Sequence, residues 1–181
     1  MRKHGHTELP KSAKTLLKTP RNTSGLIRNF CGGEYWYGGI LDGIKSRLTF
    51  GDFQNFQPGH TVTIDIFVDG ISPYKSAKKH LCAIAGCVVE QKKPFEIALW
   101  CGNIKEPDDV DQFFEDFVAE AKVLLRDGFR IDGIPSTFSL KIDKYIGDAL
   151  ARAWMLRIVV PPHSFHCCER CVYIYFFFCC F

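Results

Sequence analysis

Val62-Thr63-Ile64-Asp65-Ile66-Phe67-Val68-Asp69-Gly70 is the stretch on which the fold turns. Its apolar residues recur with period two. Val62, Ile64, Ile66 and Val68 share one face of a strand, and Thr63, Asp65, Phe67 and Asp69 share the other. The strand closes on an aspartate followed by glycine. Asp-Gly is also a strong hairpin-turn signal, but the return strand would then be Ile71-Ser72-Pro73-Tyr74, and proline fits a paired strand badly.

Downstream, residues 81–89 and 95–101 are two further apolar runs, joined by Gln91-Lys92-Lys93-Pro94. With the first strand they read as an antiparallel meander. Pro107-Asp108-Asp109 then opens the clearest helix, with Asp109 as cap and Gln112 three residues on in a capping-box arrangement. Its apolar stripe is Val110, Phe113, Phe114, Phe117, Val118, Ala121, Leu124 and Leu125, and Gly128 stops it. Residues 138–146 alternate again through Phe138, Leu140 and Ile142, and residues 149–158 read as a helix ended by Pro161-Pro162. The expected fold class is therefore α/β, in the order of three antiparallel strands, helix, fourth strand, helix. That is the opening order of an RNase H-like core, here incomplete and preceded by a basic N-terminal arm.

Upstream, residues 1–24 are polar and basic and expected to be a disordered arm. Residues 25–60 are a short helical and loop lead-in. They hold an aromatic knot between glycines, Gly32-Gly33-Glu34-Tyr35-Trp36-Tyr37-Gly38-Gly39, and a short helix over 40–48. The chain has 181 residues, 46% hydrophobic and 14% aromatic, which is a globular composition. Its net charge of +3 is uneven: residues 1–30 hold seven Lys or Arg against one Glu, so the remainder carries −3. A basic arm before a slightly acidic core suits nucleic-acid contact through Lys11, Lys14, Lys18, Arg21 and Arg28. A solvated tail would carry the same charge. The opening residues lack the apolar stretch of a secretory signal, and nine cysteines, an odd number, read as reduced thiols.

Two carboxylates carry the candidate chemistry. Asp69 ends the first strand, and Asp148 follows the fourth. Divalent cations roughly 3.5–4 Å apart can clamp the attacking and leaving oxygens at a phosphorus, and carboxylates on rigid strands position them. Oxygen ligands suit Mg²⁺. Asp65 shares the face of Asp69 but lies four residues away, about 13 Å at a rise of roughly 3.3 Å per residue, too far for one compact metal pair. The rival reading of Asp148 is a helix N-cap, a role that does not exclude metal binding. Asp143 sits inside the strand pattern and is the weaker alternative.

These residues belong to an ordered series. It runs from Leu9-Pro10-Lys11 and Thr15-Leu16-Leu17-Lys18-Thr19-Pro20-Arg21 through Gly33-Glu34-Tyr35 to Val68-Asp69-Gly70-Ile71 with Tyr74-Lys75-Ser76. It continues with Pro94-Phe95-Glu96-Ile97, the helix that begins near Asp111, Asp148-Ala149-Leu150-Ala151-Arg152-Ala153 and Cys168-Glu169-Arg170-Cys171. The series resembles the DDE-type DNA transposases of the CACTA-like group from animal transposable elements, over roughly residues 9–171. The resemblance implies a partial RNase H-like transposase core over 61–160. It implies metal-dependent DNA cleavage and strand transfer with Mg²⁺ or Mn²⁺, Asp69 and Asp148 as the first two acids of a DDE/D triad, DNA as partner, oligomers of the intact enzyme and a nuclear location. It puts the third acid well beyond Cys171, so this chain is expected to be a truncated and inactive fragment.

Residues 161–171 form a His/Cys segment. Cys168 and Cys171 have the spacing of one side of a tetrahedral zinc site, with His163 and His166 as the nearest further ligands. Free thiols in a loop would look the same. Residues 172–181 have no charge, glycine or proline and are too few to span a bilayer, which needs about 20 residues. They do not resemble the family, and the expectation is an aberrant hydrophobic tail translated from beyond the coding region. Two other functions fit parts of the sequence: a non-catalytic nucleic-acid-binding module and a zinc-stabilised protein-interaction domain.

Overall fold

The decisive strand sits inside the sheet with hydrogen-bonded neighbours on both sides. In the computed structural model, which describes residues 26–73 and 78–158, the elements follow in the order β1 (Ile27–Phe30), β2 (Gly33–Tyr37), α1 (Ile40–Arg47), α2 (Phe50–Asn55), β3 (Thr61–Ile71), β4 (His80–Val88), β5 (Lys93–Gly102), α3 (Val110–Asp127), β6 (Phe129–Arg130), β7 (Thr137–Ile146) and α4 (Ala149–Leu156). The chain is an α/β protein. Its seven described strands form one mixed sheet in the order β1-β2-β5-β4-β3-β7-β6, curled strongly into a half-barrel. All neighbours are antiparallel except β3 and β7, which run parallel. The parallel pair is reached through α3, as a parallel connection requires.

The expected meander is present as β3, β4 and β5, and the period-two pattern decides which way each strand faces. Val62, Ile64, Ile66 and Val68 are buried and look toward the helices, together with Cys82, Ile84 and Val88 of β4 and Phe138 and Leu140 of β7. Onto this inner face α1 brings Ile40 and Ile44, and α3 brings Phe113, Phe117, Ala121 and Leu124. Phe114 and Val118 are only partly buried, and Leu125 is 43% exposed, so the apolar stripe of α3 is narrower than its sequence suggests. Asp109 caps α3 by accepting the Gln112 N–H at 3.0 Å. This is a single cap rather than a reciprocal box. Gly128, at φ +69, closes the helix, and a Cβ there would lie 2.3 Å from the Phe138 carbonyl oxygen.

The lead-in is more ordered than its composition suggests. The aromatic knot is the β1–β2 hairpin, and β2 pairs with β5. Trp100 Nε1–H donates to the Phe30 carbonyl at 3.0 Å. Glu120 of α3 then pins the start of α1. Its carboxylate accepts the Tyr37 hydroxyl at 2.5 Å and the Ile40 and Leu41 N–H groups at 2.8 and 3.0 Å. A carboxylate at a helix N-terminus satisfies orphan donors and opposes the helix dipole. Burial, then the hydrogen bond to Glu120, raises the Tyr37 phenol above its ordinary range.

Candidate functional site

Asp69 and Gly70 do not make a turn. They remain in the β3–β4 ladder opposite Ala83 and Cys82, and β3 ends only after Ile71. Asp69 is exposed and faces away from the helices, and it carries no hydrogen bond or ion pair with any described residue. Asp148 follows β7 by two residues in extended conformation and caps α4, its Oδ1 accepting the Ala151 N–H at 2.7 Å.

The parallel register brings the two acids to one end of the sheet. Phe67 and Ile146 are the last registered pair. Beyond them Gly147 lies against Val68, since a Cβ on Gly147 would stand 3.1 Å from the Val68 carbonyl oxygen. Asp69 and Asp148 come next on the two chains. Both aspartates therefore follow strand ends that lie at the same end of the sheet. The side chains leave differently: Asp69 toward the open face, Asp148 toward the first turn of α4. Among the described residues no three His, Cys, Asp or Glu side chains gather as a metal-holding group. Two carboxylates are a donor set of the right chemistry for a hydrated Mg²⁺ or Mn²⁺, which keeps several waters and needs only one or two protein carboxylates.

A third carboxylate near this end was not visible in the sequence. Glu106, from the β5–α3 loop, has its side chain 19% exposed and its Oε1 2.8 Å from where a Cβ on Gly70 would stand, and it pairs with Lys105 at 3.2 Å. Burial, then Glu106, then Asp69, push the Cys82 thiol up to about 12. A side chain at position 70 would make the flexible Glu106 carboxylate move aside and would come within 3.2 Å of the Lys105 carbonyl oxygen.

Asp65 sits lower on the outer face, between Cys87 of β4 and Lys144 of β7 in register. Its Oδ1 is buried with no hydrogen-bond partner among the described residues. Asp143, the weaker alternative, is the extra residue where the β3–β7 register shifts, and it is paired with both Lys141 and Lys144. Those hydrogen bonds hold its carboxyl below the usual range.

Of the residues expected to touch nucleic acid, Arg28 is committed within the chain. It pairs with Asp116 at 2.6 Å and lies over the Tyr35 ring, 4.7 Å from its centroid. Lys11, Lys14, Lys18 and Arg21, the zinc candidates His163, His166, Cys168 and Cys171, and the hydrophobic tail lie outside the described residues. Among the described residues no helix is long and apolar enough to cross a membrane. No family model, curated protein or solved structure matches this chain.

Proposed function

We propose that this chain carries the first part of the catalytic core of a DDE-type DNA transposase, with Asp69 and Asp148 as the first two acids of its metal site. The observation that carries the reading is the parallel pairing of β3 with β7, which brings the strand ends that precede the two aspartates to the same end of the sheet. The strand order β5-β4-β3-β7, with α3 between β5 and β7, supports an RNase H-like reading of that part of the sheet.

In this reading Asp69, which pairs with no other described residue, offers both carboxylate oxygens to a divalent cation. Asp148 divides its carboxylate between α4 and the metal, so the helix fixes its rotamer. The metal, when bound, supplies Lewis-acid polarisation of a DNA phosphate and activation of the attacking water or 3′-hydroxyl. A polypeptide of these 181 residues supplies two of the three acids, so it binds metal weakly and does not cleave DNA. Electron paramagnetic resonance of Mn²⁺ titrated into the chain tests the site. Bound Mn²⁺ is expected to fall in both Asp69→Asn and Asp148→Asn. Binding that survives both substitutions would contradict the assignment.

A further inference from the structure

Arg152 stands at the end of the first turn of α4, where a cation opposes the helix dipole. What it grips accounts for its place. The side chain is half-buried, turns back past the helix N-terminus and donates from Nη1 to the carbonyl of Gly147.

Gly147 is the first of the two residues between β7 and α4, and Asp148 is the second. It is also the point where this joint meets β3. A Cβ on Gly147 would stand 3.1 Å from the Val68 carbonyl oxygen and 3.4 Å from both the Ala151 Cβ and the Met155 Cε. The joint is therefore wedged between α4 and the residue that precedes Asp69. The peptide that Arg152 grips leads directly into Asp148. Because a peptide is planar, holding the Gly147 carbonyl also holds the Asp148 N–H, and with it the direction in which Asp148 leaves the joint. The Asp148 carboxylate is then set by the bond it accepts from the Ala151 N–H. Other contacts hold the body of the helix. Ala151 and Ala153 are buried, Trp154 Nε1–H donates to the Pro107 carbonyl, and Arg157 pairs with Asp111.

We propose that Arg152 is a positioning residue for Asp148, holding the Gly147–Asp148 peptide so that the carboxylate is preset for a divalent cation. The proposal rests on Asp148 being a metal ligand and adds what orients it. Arg152 acts through the backbone and does not touch the metal. A guanidinium suits the task, because it is planar and charged at every working pH. Partners that orient a metal ligand commonly contribute about tenfold or more to affinity.

Mn²⁺ titration of the full chain, followed by electron paramagnetic resonance, tests the proposal. Arg152→Ala should weaken Mn²⁺ binding about tenfold with an unchanged circular dichroism spectrum. Charge alone predicts the opposite, since removing a cation near Asp148 favours a bound metal. In the Arg152→Ala background, Asp148→Asn should cost less than it does alone, because the carboxylate is already misdirected. Asp69→Asn should still remove the binding that remains. Without metal, amide exchange in Arg152→Ala should speed at residues 148–151 and not at 153–156. If Arg152→Ala misfolds, Arg152→Lys decides: it keeps the charge without the planar fork, and binding should fall severalfold. Full affinity in Arg152→Ala, or in Arg152→Lys where alanine misfolds, overturns the positioning role, and the metal site stands if Asp148→Asn still loses Mn²⁺. A loss that adds in full to that of Asp148→Asn, or exchange that speeds evenly along α4, also overturns it. Binding that survives Asp148→Asn alone removes the metal assignment itself, and this role with it.

Discussion

Asp148 is assigned two roles, and substitution separates them. As a cap it makes one hydrogen bond, from Ala151 N–H at 2.7 Å. Asp148→Ala removes that bond and should cost about 1 kcal/mol, within the usual range of about 0.5–2 for an N-cap. Asparagine caps as well as aspartate, so Asp148→Asn should lose only the charge against the helix dipole, about 0.3–1 kcal/mol. The helix itself should survive both changes. Ala151 and Ala153 are buried, Trp154 Nε1–H donates to the Pro107 carbonyl at 3.0 Å, and Arg157 pairs with Asp111 at 2.5 Å. Metal binding adds a second quantity. At Mn²⁺ tenfold above its dissociation constant the folded chain should gain about 1.4 kcal/mol, provided the unfolded chain does not bind. Urea unfolding followed by tryptophan fluorescence, with and without Mn²⁺, reads both. The chain should show the gain, Asp148→Asn should unfold nearly as the unsubstituted chain does without metal but show no gain, and Asp69→Asn should match it. A full Mn²⁺ gain in Asp148→Asn would refute the reasoning and leave Asp148 a cap and nothing more.

Three further outcomes follow from the packing and the titrating groups. Glu120→Ala strands the Tyr37 hydroxyl and two N–H groups of α1; at about 1–3 kcal/mol for each partner lost, and with less than full additivity, urea unfolding should register a loss of about 2–4 kcal/mol. Gly43→Ala drives a Cβ to 2.1 Å from the Phe95 ring, which also fills the space over Gly86; it should destabilise by about 1–3 kcal/mol, and Phe95→Leu should recover part of that in a double-mutant cycle. Stability should also fall at alkaline pH. The folded-state Cys82 thiol is raised from 9.0 to about 12, and the Tyr35 and Tyr37 phenols rise above their ordinary 10.0 through burial first. Raised acids stabilise fully below their unfolded values and lose that contribution as pH climbs toward the folded ones. Urea midpoints should therefore hold to about pH 9 and decline above it, with Tyr37→Phe reducing the decline; a flat profile to pH 11 would contradict the burial of these groups.

The α/β class and the meander were legible because β3 buries one side and so alternates strictly, as β7 does only as far as Ile142, before its bulge at Asp143. Helix α3 was legible because its stripe, cap and terminal glycine agree. The β1–β2 hairpin was not. Its strands are four and five residues long and its glycines read as loop, yet Gly33 is required beside Trp100, where a Cβ would stand 2.6 Å from the indole nitrogen. Only the partner strand, some 65 residues away, makes sense of it. The same limit applies to the site. Asp69 and Asp148 could be singled out as ends of strands, but that those strand ends lie at one end of the sheet depends on the parallel register. Glu106 reaches this end from a loop with no periodicity to betray it. Arg28 counted as one of a basic series until its position opposite Asp116 was known, because net charge does not record which charges are already paired.

The central claim is that one divalent cation touches both the end of β3 and the start of α4. Fe²⁺ in place of Mg²⁺, with ascorbate and peroxide, generates radicals that cut the backbone beside the metal. The account predicts two cuts in the full chain, one near residues 69–71 and one near 147–149, both abolished by Asp69→Asn and both suppressed by excess Mg²⁺. Cuts at only one of these places, cuts confined to the His/Cys segment, or a pattern indifferent to Asp69→Asn would contradict it.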